Sequence, residues 1–272
     1  MLQPIFGVFK VVIGVVHLLP LPGSPGWQGD FNKVLARARS DAEALASGGV
    51  DGIIVENFGD VPFEKDRVGP ETVASLALAV SDVQRVVKLP LGINVLRNDP
   101  LAALAVACVT GARFIRVNVH TGAMVTDQGI IEGRSAETLR YRRVLAVGVE
   151  IFADVLVKHG VPLGNQSLGD TARATVERGR ADALIITGPF TGEAADHDDV
   201  AAVREVVPGI PILVGSGITE ANVNEYLAHA DGVIVGTSIK VGGIVDNPVD
   251  PDRVARLMKR VRGFGQPGPK DL

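Results

Sequence analysis

Short runs of apolar, often β-branched residues alternate along the chain with longer segments in which apolar residues recur every three to four positions. The runs have the length and composition of buried strands, and the longer segments have the period of amphipathic helices. Turn and capping residues separate them, as where Asp99 and Pro100 open one helix and Gly111 follows its end. Eight strand–helix units are predicted in this way. The strands cover residues 11–18, 52–57, 91–96, 114–119, 150–157, 183–188, 211–215 and 232–236, and the helices cover residues 32–47, 71–87, 100–110, 135–147, 167–177, 198–206, 220–228 and 250–262.

Alternating strands and helices predict a parallel sheet with right-handed crossovers, and therefore an α/β fold. Eight units are typical of a single (β/α)8 TIM barrel, and the 272 residues of the chain are close to the size of that fold. An open doubly wound sheet is the alternative, but no Gly-x-Gly-x-x-Gly motif of a dinucleotide site follows the first strand. The barrel is predicted over residues 1–262, and the Gly- and Pro-rich residues 263–272 are predicted to form a flexible tail.

Composition and charge narrow the classes of function. A net charge of −4 and 4% aromatic residues provide neither the basic field nor the stacking surface that nucleic-acid binding uses. A single cysteine, Cys108, excludes an internal disulfide. The sequence shows no signal-peptide layout, and the apolar run over residues 11–16 is far shorter than the roughly 20 residues of a membrane span. We therefore expect a cytoplasmic protein without an integral membrane segment.

The predicted strands end in polar residues, at the edge where a barrel builds its active face. Side chains alternate along a strand, so Glu56, Asn94, Asn118 and Asp154 are predicted to point inward on four successive strands. Polar groups at one level of a barrel are costly unless they bind one another, water or a ligand. A self-satisfied hydrogen-bond network is the structural alternative to a functional site. The other residues predicted to line the mouth are His17, Asn57, His120, Lys158, His159 and Thr187.

These residue types suit proton transfer beside an anionic ligand. Glu56 or Asp154 is predicted to be the general base, with a pKa raised by burial or by a neighbouring carboxylate, and Asp154→Asn is expected to abolish turnover with little loss of folding. Lys158 would hold a charged oxygen or form a Schiff base, whereas the deeper Arg116 is expected to form a structural ion pair. No cofactor is predicted, and a divalent metal on Glu56, His120 and Asp154 is an alternative that lacks compact ligand spacing. The candidate catalytic residues are therefore Glu56, Asn94, Asn118, His120, Asp154 and Lys158.

Two small-residue turns follow the last two predicted strands and echo each other as VGSG and VGTS. Glycine adopts positive φ and lets the backbone pass close to a ligand, and free backbone N–H groups at such turns bind anions. The loops after strands seven and eight of a barrel are a frequent phosphate site. Buried turns favour Gly and Ser in any case, but the pair of turns indicates phosphate binding. The residues are Gly215, Ser216, Gly217, Gly236, Thr237 and Ser238.

A set of motifs spread over nearly the whole chain resembles the BtpA/SgcQ family. The motifs are HLLPLPGSP at residues 17–25, VENFGDVPF at 55–63, GINVLRND at 92–99, FIRVNV at 114–119, TDQGII at 126–131, ADVLVKH at 153–159, VGSGIT at 214–219 and VGTSIK at 235–240. The resemblance implies a barrel of the ribulose-phosphate-binding type. Names in the family refer to photosystem I biogenesis and to sugar or nucleoside catabolism, so the resemblance assigns no catalytic residue.

Two functions of different classes remain open on the sequence alone. The first is an isomerase, lyase or glycosidic-bond-cleaving enzyme that acts on a phosphorylated sugar or nucleoside-type substrate, held by the two glycine-containing turns and transformed by the polar residues. The second is a non-catalytic assembly factor for a membrane complex, which would dock through the long loops at residues 58–70 and 121–134. Barrels often pair, so a homo-oligomer is expected in either case.

Overall fold

The computed structural model of the chain describes residues 2–145, 147–188 and 192–264. Eight parallel strands close into a barrel in the order β1-β11-β10-β9-β7-β4-β3-β2. Pairing of the first strand with the last closes the sheet. The predicted (β/α)8 barrel is therefore confirmed, and the alternative prediction of an open sheet is wrong. Of the predicted tail, residues 265–272 lie outside the described part of the chain. The barrel strands are β1 (Val11–His17), β2 (Gly52–Glu56), β3 (Leu91–Asn94), β4 (Phe114–Val117), β7 (Glu150–Val155), β9 (Ala183–Ile186), β10 (Ile212–Val214) and β11 (Gly232–Val235).

Helices surround the barrel, and their ends follow the capping residues of the sequence. The Asp99 side chain accepts a hydrogen bond from the Ala102 N–H at the start of the helix Pro100–Thr110, and Asp250 caps the helix Pro251–Arg262 in the same way. No helix within the described ranges has both the length and the apolar character needed to cross a membrane. The helices are α1 (Gln3–Phe6), α2 (Phe31–Gly48), α3 (Pro70–Val86), α4 (Pro100–Thr110), α5 (Ser135–Val144), α6 (Leu168–Glu177), α7 (His197–Val206), α8 (Val223–His229) and α9 (Pro251–Arg262).

Apolar residues form separate cores outside and inside the barrel. The larger core packs the outward faces of the strands against the helices, and the smaller core fills the barrel itself. Phe114 and Phe152 stack inside with ring centroids 4.6 Å apart, and Gly92 is needed beside them because a Cβ there would lie 2.2 Å from the Phe114 ring. Burial of an aromatic side chain of this kind stabilises the fold by about 1.5–3 kcal/mol. The centre of the barrel is therefore filled by apolar side chains.

Two features of the fold were absent from the sequence prediction. The short α1 at the amino-terminal end places Phe6 edge-on against Phe114, with centroids 5.6 Å apart, and so covers the bottom of the inner core. A small antiparallel sheet stands above the mouth, formed by β5 (Ala123–Thr126), β6 (Gly129–Glu132) and β8 (Gly160–Pro162). The sequence signal for its hairpin is the two-residue turn Asp127-Gln128 before Gly129, whose φ is 91°.

Candidate functional site

Polar side chains at the carboxyl ends of β1 to β4 lie at one level of the barrel. The strand register pairs His17 with Glu56, Glu56 with Asn94 and Asn94 with Arg116. The Asn94 amide donates to Glu56 at 3.1 Å, and the Asn118 amide donates to Asp154 at 3.0 Å. The four residues predicted to point inward on successive strands are therefore brought together, and they form two hydrogen-bonded pairs.

Asp154 is held in a buried ion pair. Its two carboxylate oxygens accept hydrogen bonds from Nε and Nη2 of Arg116, each at 2.9 Å, and the Asn118 amide adds a third. Both charged side chains are almost fully buried. Both carboxylate oxygens are thus occupied by protein donors, and the carboxylate serves as the countercharge of a buried guanidinium. This geometry contradicts the predicted role of Asp154 as general base, whereas Arg116 forms the ion pair expected of it.

Glu56 is also buried, but its ionisation differs from the expectation. Burial acts to raise the pKa of Glu56, but the hydrogen bond and charge of His17, with the charges of Arg116 and Lys158, outweigh it and hold the pKa at about 2. The predicted raised pKa is therefore wrong for this carboxylate. Glu56 stays ionised at neutral pH and orients the groups around it.

His17 contacts Glu56 through Nε2 at 3.0 Å. Its ring stacks on Phe58, with centroids 4.4 Å apart, and a Cβ at Gly236 would lie 3.3 Å from its Cε1. Because Nε2 faces an ionised carboxylate, Nε2 carries a proton and donates it to Glu56, which leaves Nδ1 as the ring nitrogen that can exchange a proton with a ligand. Nδ1 is buried and finds no hydrogen-bond partner among the described residues. His17 thus provides a carboxylate-oriented imidazole at the mouth.

Lys158 lies directly above these groups, after the end of β7. Its side chain is partly buried, and its backbone carbonyl accepts a hydrogen bond from Nη2 of Arg97 at 2.6 Å. Burial, with the neighbouring Arg116 charge, lowers the pKa of Lys158 to about 8, although Glu56 and Asp154 act in the opposite direction. An amine with this pKa exists in both protonation states near neutral pH, so it can donate a proton, accept one or attack a carbonyl.

The Lys158 ammonium should titrate near pH 8, whereas exposed lysines have a pKa of about 10.4. Below pH 8 the amine is protonated, and above pH 8 it is neutral. Reductive ¹³C-methylation followed by NMR across pH 6–11 measures this directly. The signal should disappear in Lys158→Arg, which assigns it, because Lys10 and Lys240 also have a lowered pKa. Titration of the assigned signal above pH 10 would contradict the burial and charge environment described here.

The remaining predicted residues lie outside the two hydrogen-bonded pairs at the mouth. His120 is misplaced by the prediction: β4 ends at Val117, and the His120 ring turns away from the mouth, with Nε2 2.7 Å from the Gly179 carbonyl. The Asn57 side chain joins two loops, because it donates to Asp60 and the Leu96 carbonyl. Thr187 Oγ1 is buried without a partner in the described part of the chain.

His159 lines the larger of two cavities at the mouth, and burial lowers its pKa. No cluster of three or more His, Cys, Asp or Glu side chains in the described ranges could hold a metal ion. The alternative metal set of Glu56, His120 and Asp154 is therefore not assembled, since His120 faces elsewhere and Asp154 is occupied by Arg116.

The turns after β10 and β11 lie side by side and form a cup of backbone. Ser238 Oγ donates to the Ile218 carbonyl at 2.6 Å and so ties the two turns together. Gly217 has a φ of 66°, and a Cβ there would lie 2.2 Å from Cα of Ala194, so only glycine fits. Asn222 holds the first turn from below by donating to the Gly217 carbonyl.

The cup offers hydrogen-bond donors that the protein itself does not use. The backbone N–H groups of Ser216, Gly217 and Ile218 meet no acceptor in the described ranges. Ser216 Oγ is buried and likewise without a partner there. Converging donors of this kind suit an anion with several acceptor oxygens. The turns border a cavity of about 270 Å³ that His17 and Lys158 also line.

A second, larger cavity of about 780 Å³ opens beside the first. Both cavities are lined by Glu56, Phe58, Arg116 and Lys158, so they form one continuous mouth. Phe58, Arg97 and the small sheet above the mouth were missed as site residues by the sequence analysis. The two-residue turn of the hairpin was the available signal for the sheet. Phe58 and Arg97 lie within the motifs VENFGDVPF and GINVLRND, but neither motif indicated that their side chains line the site.

Comparison with known proteins gives a family match that extends over the whole barrel. A family model described as the BtpA family matches residues 8–263. The photosystem I biogenesis protein BtpA of Synechocystis sp. is 50% identical over 254 residues, which cover 93% of this chain and 88% of that protein. The sgc region protein SgcQ of Escherichia coli is 34% identical over 263 residues, which cover 96% of this chain and 97% of that protein.

Solved structures with the same fold are more distant in sequence. Thiamine phosphate pyrophosphorylase from Pyrococcus furiosus superposes with a TM-score of 0.57 at 14% identity, covering 95% of this chain and 98% of that one. Phosphoribosyl anthranilate isomerase from Thermus thermophilus has a TM-score of 0.56 at 12% identity, with coverage of 93% and 99%. At these identities the likeness shows the fold alone.

Proposed function

Since the chain belongs to the BtpA family and folds as a (β/α)8 barrel, we propose that it is an enzyme acting on a phosphorylated sugar or nucleoside-type small molecule. One observation carries the proposal: unused backbone donors around Ser216 face His17 and Lys158 across a single cavity. Barrel enzymes often hold phosphate at the loops after the seventh and eighth strands, which are β10 and β11 here. The phosphate therefore binds in the cup, and the reacting part of the substrate lies over Glu56, Asn94 and Lys158.

The groups on the opposite wall divide the chemistry between them. Lys158, with its pKa of about 8, binds a carbonyl oxygen as the ammonium or attacks the carbonyl carbon as the amine. His17 moves a proton through Nδ1 while Glu56 holds Nε2. This arrangement suits isomerisation or carbon–carbon lyase chemistry next to a carbonyl. Glycosidic-bond cleavage fits less well, because it requires a protonated carboxylic acid and Glu56 is ionised.

The anion site is tested by isothermal titration calorimetry with ribose 5-phosphate. Ser216→Ala should weaken binding about tenfold, because it removes one hydrogen bond to a charged group. Ser47→Ala is the matched control, because Ser47 is exposed at the end of α2. This variant should bind ribose 5-phosphate with the affinity of the wild-type protein. Absence of ribose 5-phosphate and inorganic phosphate binding by the wild-type protein would overturn the proposed function.

A second candidate rests on the relative that is 50% identical and is named for photosystem I biogenesis. Under this alternative the chain is an assembly factor, and exposed apolar side chains at the mouth, such as Val61 and Val161, dock a protein. An affinity pull-down on the same sample used for calorimetry separates the two. A specific partner together with no phosphate binding favours assembly, whereas phosphate binding without a partner favours the enzyme.

A further inference from the structure

Two residues that line the larger cavity carry a buried acceptor atom that has no hydrogen-bond donor in the described part of the chain. Asn94 and Asn118 both line this cavity, and each directs its Nδ2 group at a carboxylate. A carboxylate in its ionised form only accepts hydrogen bonds, which fixes both amides with their nitrogens toward Glu56 and Asp154. The two Oδ1 atoms are buried and meet no donor among the described residues. Because unmet buried acceptors are costly, a ligand with two donors, such as adjacent hydroxyl groups, is expected here.

Beyond these acceptors the cavity is lined by aromatic and aliphatic side chains. Phe58 and Phe63 meet edge-on, with ring centroids 6.4 Å apart, and both line the cavity. Val61 on the same loop is 58% exposed, and Val161 on β8 is 62% exposed across from it. Side chains of this kind at a cavity rim gain stability when a ligand covers them. We name the surface formed by Phe58, Val61, Phe63, Val125 and Val161 the apolar shelf.

The apolar shelf also has a polar edge. Arg97 is 4% exposed and lines the cavity, and its Nε is buried without a partner in the described ranges. Nη2 of the same guanidinium donates a hydrogen bond to the Lys158 carbonyl, which fixes the Arg97 side chain in place. A fixed donor beside aromatic side chains that line the cavity fits a planar ring system that stacks on one of them and carries an acceptor atom on its edge.

The mouth is larger than a simple sugar phosphate requires. The cup cavity of about 270 Å³ and the shelf cavity of about 780 Å³ meet at Glu56, Phe58 and Lys158. Pockets of about 300–1,000 Å³ hold ligands of drug size. Three kinds of lining group therefore follow one another along the mouth. They are hydrogen-bond donors for an anion at the cup, acceptors for hydroxyl groups at the polar residues, and the apolar shelf beyond them.

We infer that the substrate is a phosphorylated sugar that carries a planar, mostly apolar substituent, with the phosphate in the cup and the substituent on the apolar shelf. This inference rests on the proposed function and adds the part of the substrate that the phosphate site does not describe. The sugar hydroxyls donate to Asn94 and Asn118, which places the bond between sugar and substituent near Lys158.

Calorimetry with ribose 5-phosphate and the adenosine, inosine, cytidine and uridine 5′-monophosphates tests the inference. At least one mononucleotide should bind at least tenfold more tightly than ribose 5-phosphate, since stacking of a base on an aromatic side chain has an effect of this size. If every mononucleotide binds no more tightly than ribose 5-phosphate, the inference is overturned while the proposed function stands. If no phosphorylated probe binds, the proposed function fails, and the inference fails with it.

Three variants test whether the apolar shelf causes the effect. Phe63→Ala should remove the tenfold advantage of the mononucleotide and leave the affinity for ribose 5-phosphate unchanged, which also shows that the variant is folded. Phe9→Ala is the matched control, because Phe9 is 76% exposed and precedes β1 at the other end of the barrel. A mononucleotide advantage that persists in both Phe63→Ala and Phe63→Asp would overturn the placement on the shelf.

Discussion

The Asp154→Asn variant should lose about 3–5 kcal/mol of unfolding free energy, because it leaves the buried Arg116 guanidinium without its countercharge. Arg116 donates to Asp154 through Nε and Nη2, and Asn118 depends on the same carboxylate. The sequence alone suggests that this substitution leaves folding intact, so the structure reverses that expectation. Urea denaturation followed by circular dichroism measures the difference.

Two comparisons show whether the loss comes from the buried charge. Glu137→Gln breaks the surface pair with Arg134 and should cost less than about 1 kcal/mol, since water screens that pair. The double variant Arg116→Met/Asp154→Leu replaces the buried pair with apolar side chains and should recover most of the lost stability. An Asp154→Asn protein within about 1 kcal/mol of the wild type would show that Arg116 does not need this partner.

Lys158→Met should lower turnover by about 10²–10⁴-fold, because it removes the one lysine that lines both cavities in the described part of the chain. Ribose 5-phosphate affinity should change little, since the phosphate binds across the cavity from Lys158. Turnover is measured by following phosphorylated compounds in a metabolite extract with ³¹P NMR and mass spectrometry. The rate should change with pH near 8, rising if the neutral amine reacts and falling if the ammonium does.

The controls for Lys158 separate its proton chemistry from its charge. Lys158→Arg should also be inactive, because a guanidinium keeps its proton at every accessible pH. Lys88→Met removes an exposed lysine that contacts only the Gln84 carbonyl in the described ranges, and should leave turnover unchanged. Full activity of Lys158→Arg would show that this position supplies a positive charge alone.

Local sequence patterns were sufficient to predict the barrel and the level at which its polar residues lie. Alternation along a strand is a local property, so it correctly predicts that Glu56, Asn94 and Asp154 share the inside of the barrel. The turns after β10 and β11 were predictable because glycine is a local signal for a turn. Gly217 adopts a positive φ, which glycine allows without steric cost. The roles assigned to the six residues of these turns stay predictions until an anion is bound.

The pairing and ionisation of the polar residues depend on the three-dimensional arrangement of the chain. Asp154 lies 38 residues from Arg116, and no local pattern indicates that their side chains meet at 2.9 Å. The low pKa of Glu56 and the lowered pKa of Lys158 depend on burial and on charges from other strands. Because burial and charge interactions depend on distance in space, separation along the chain does not reveal them. The orientation of His120 and the apolar shelf depended in the same way on loops whose positions the strands alone do not set.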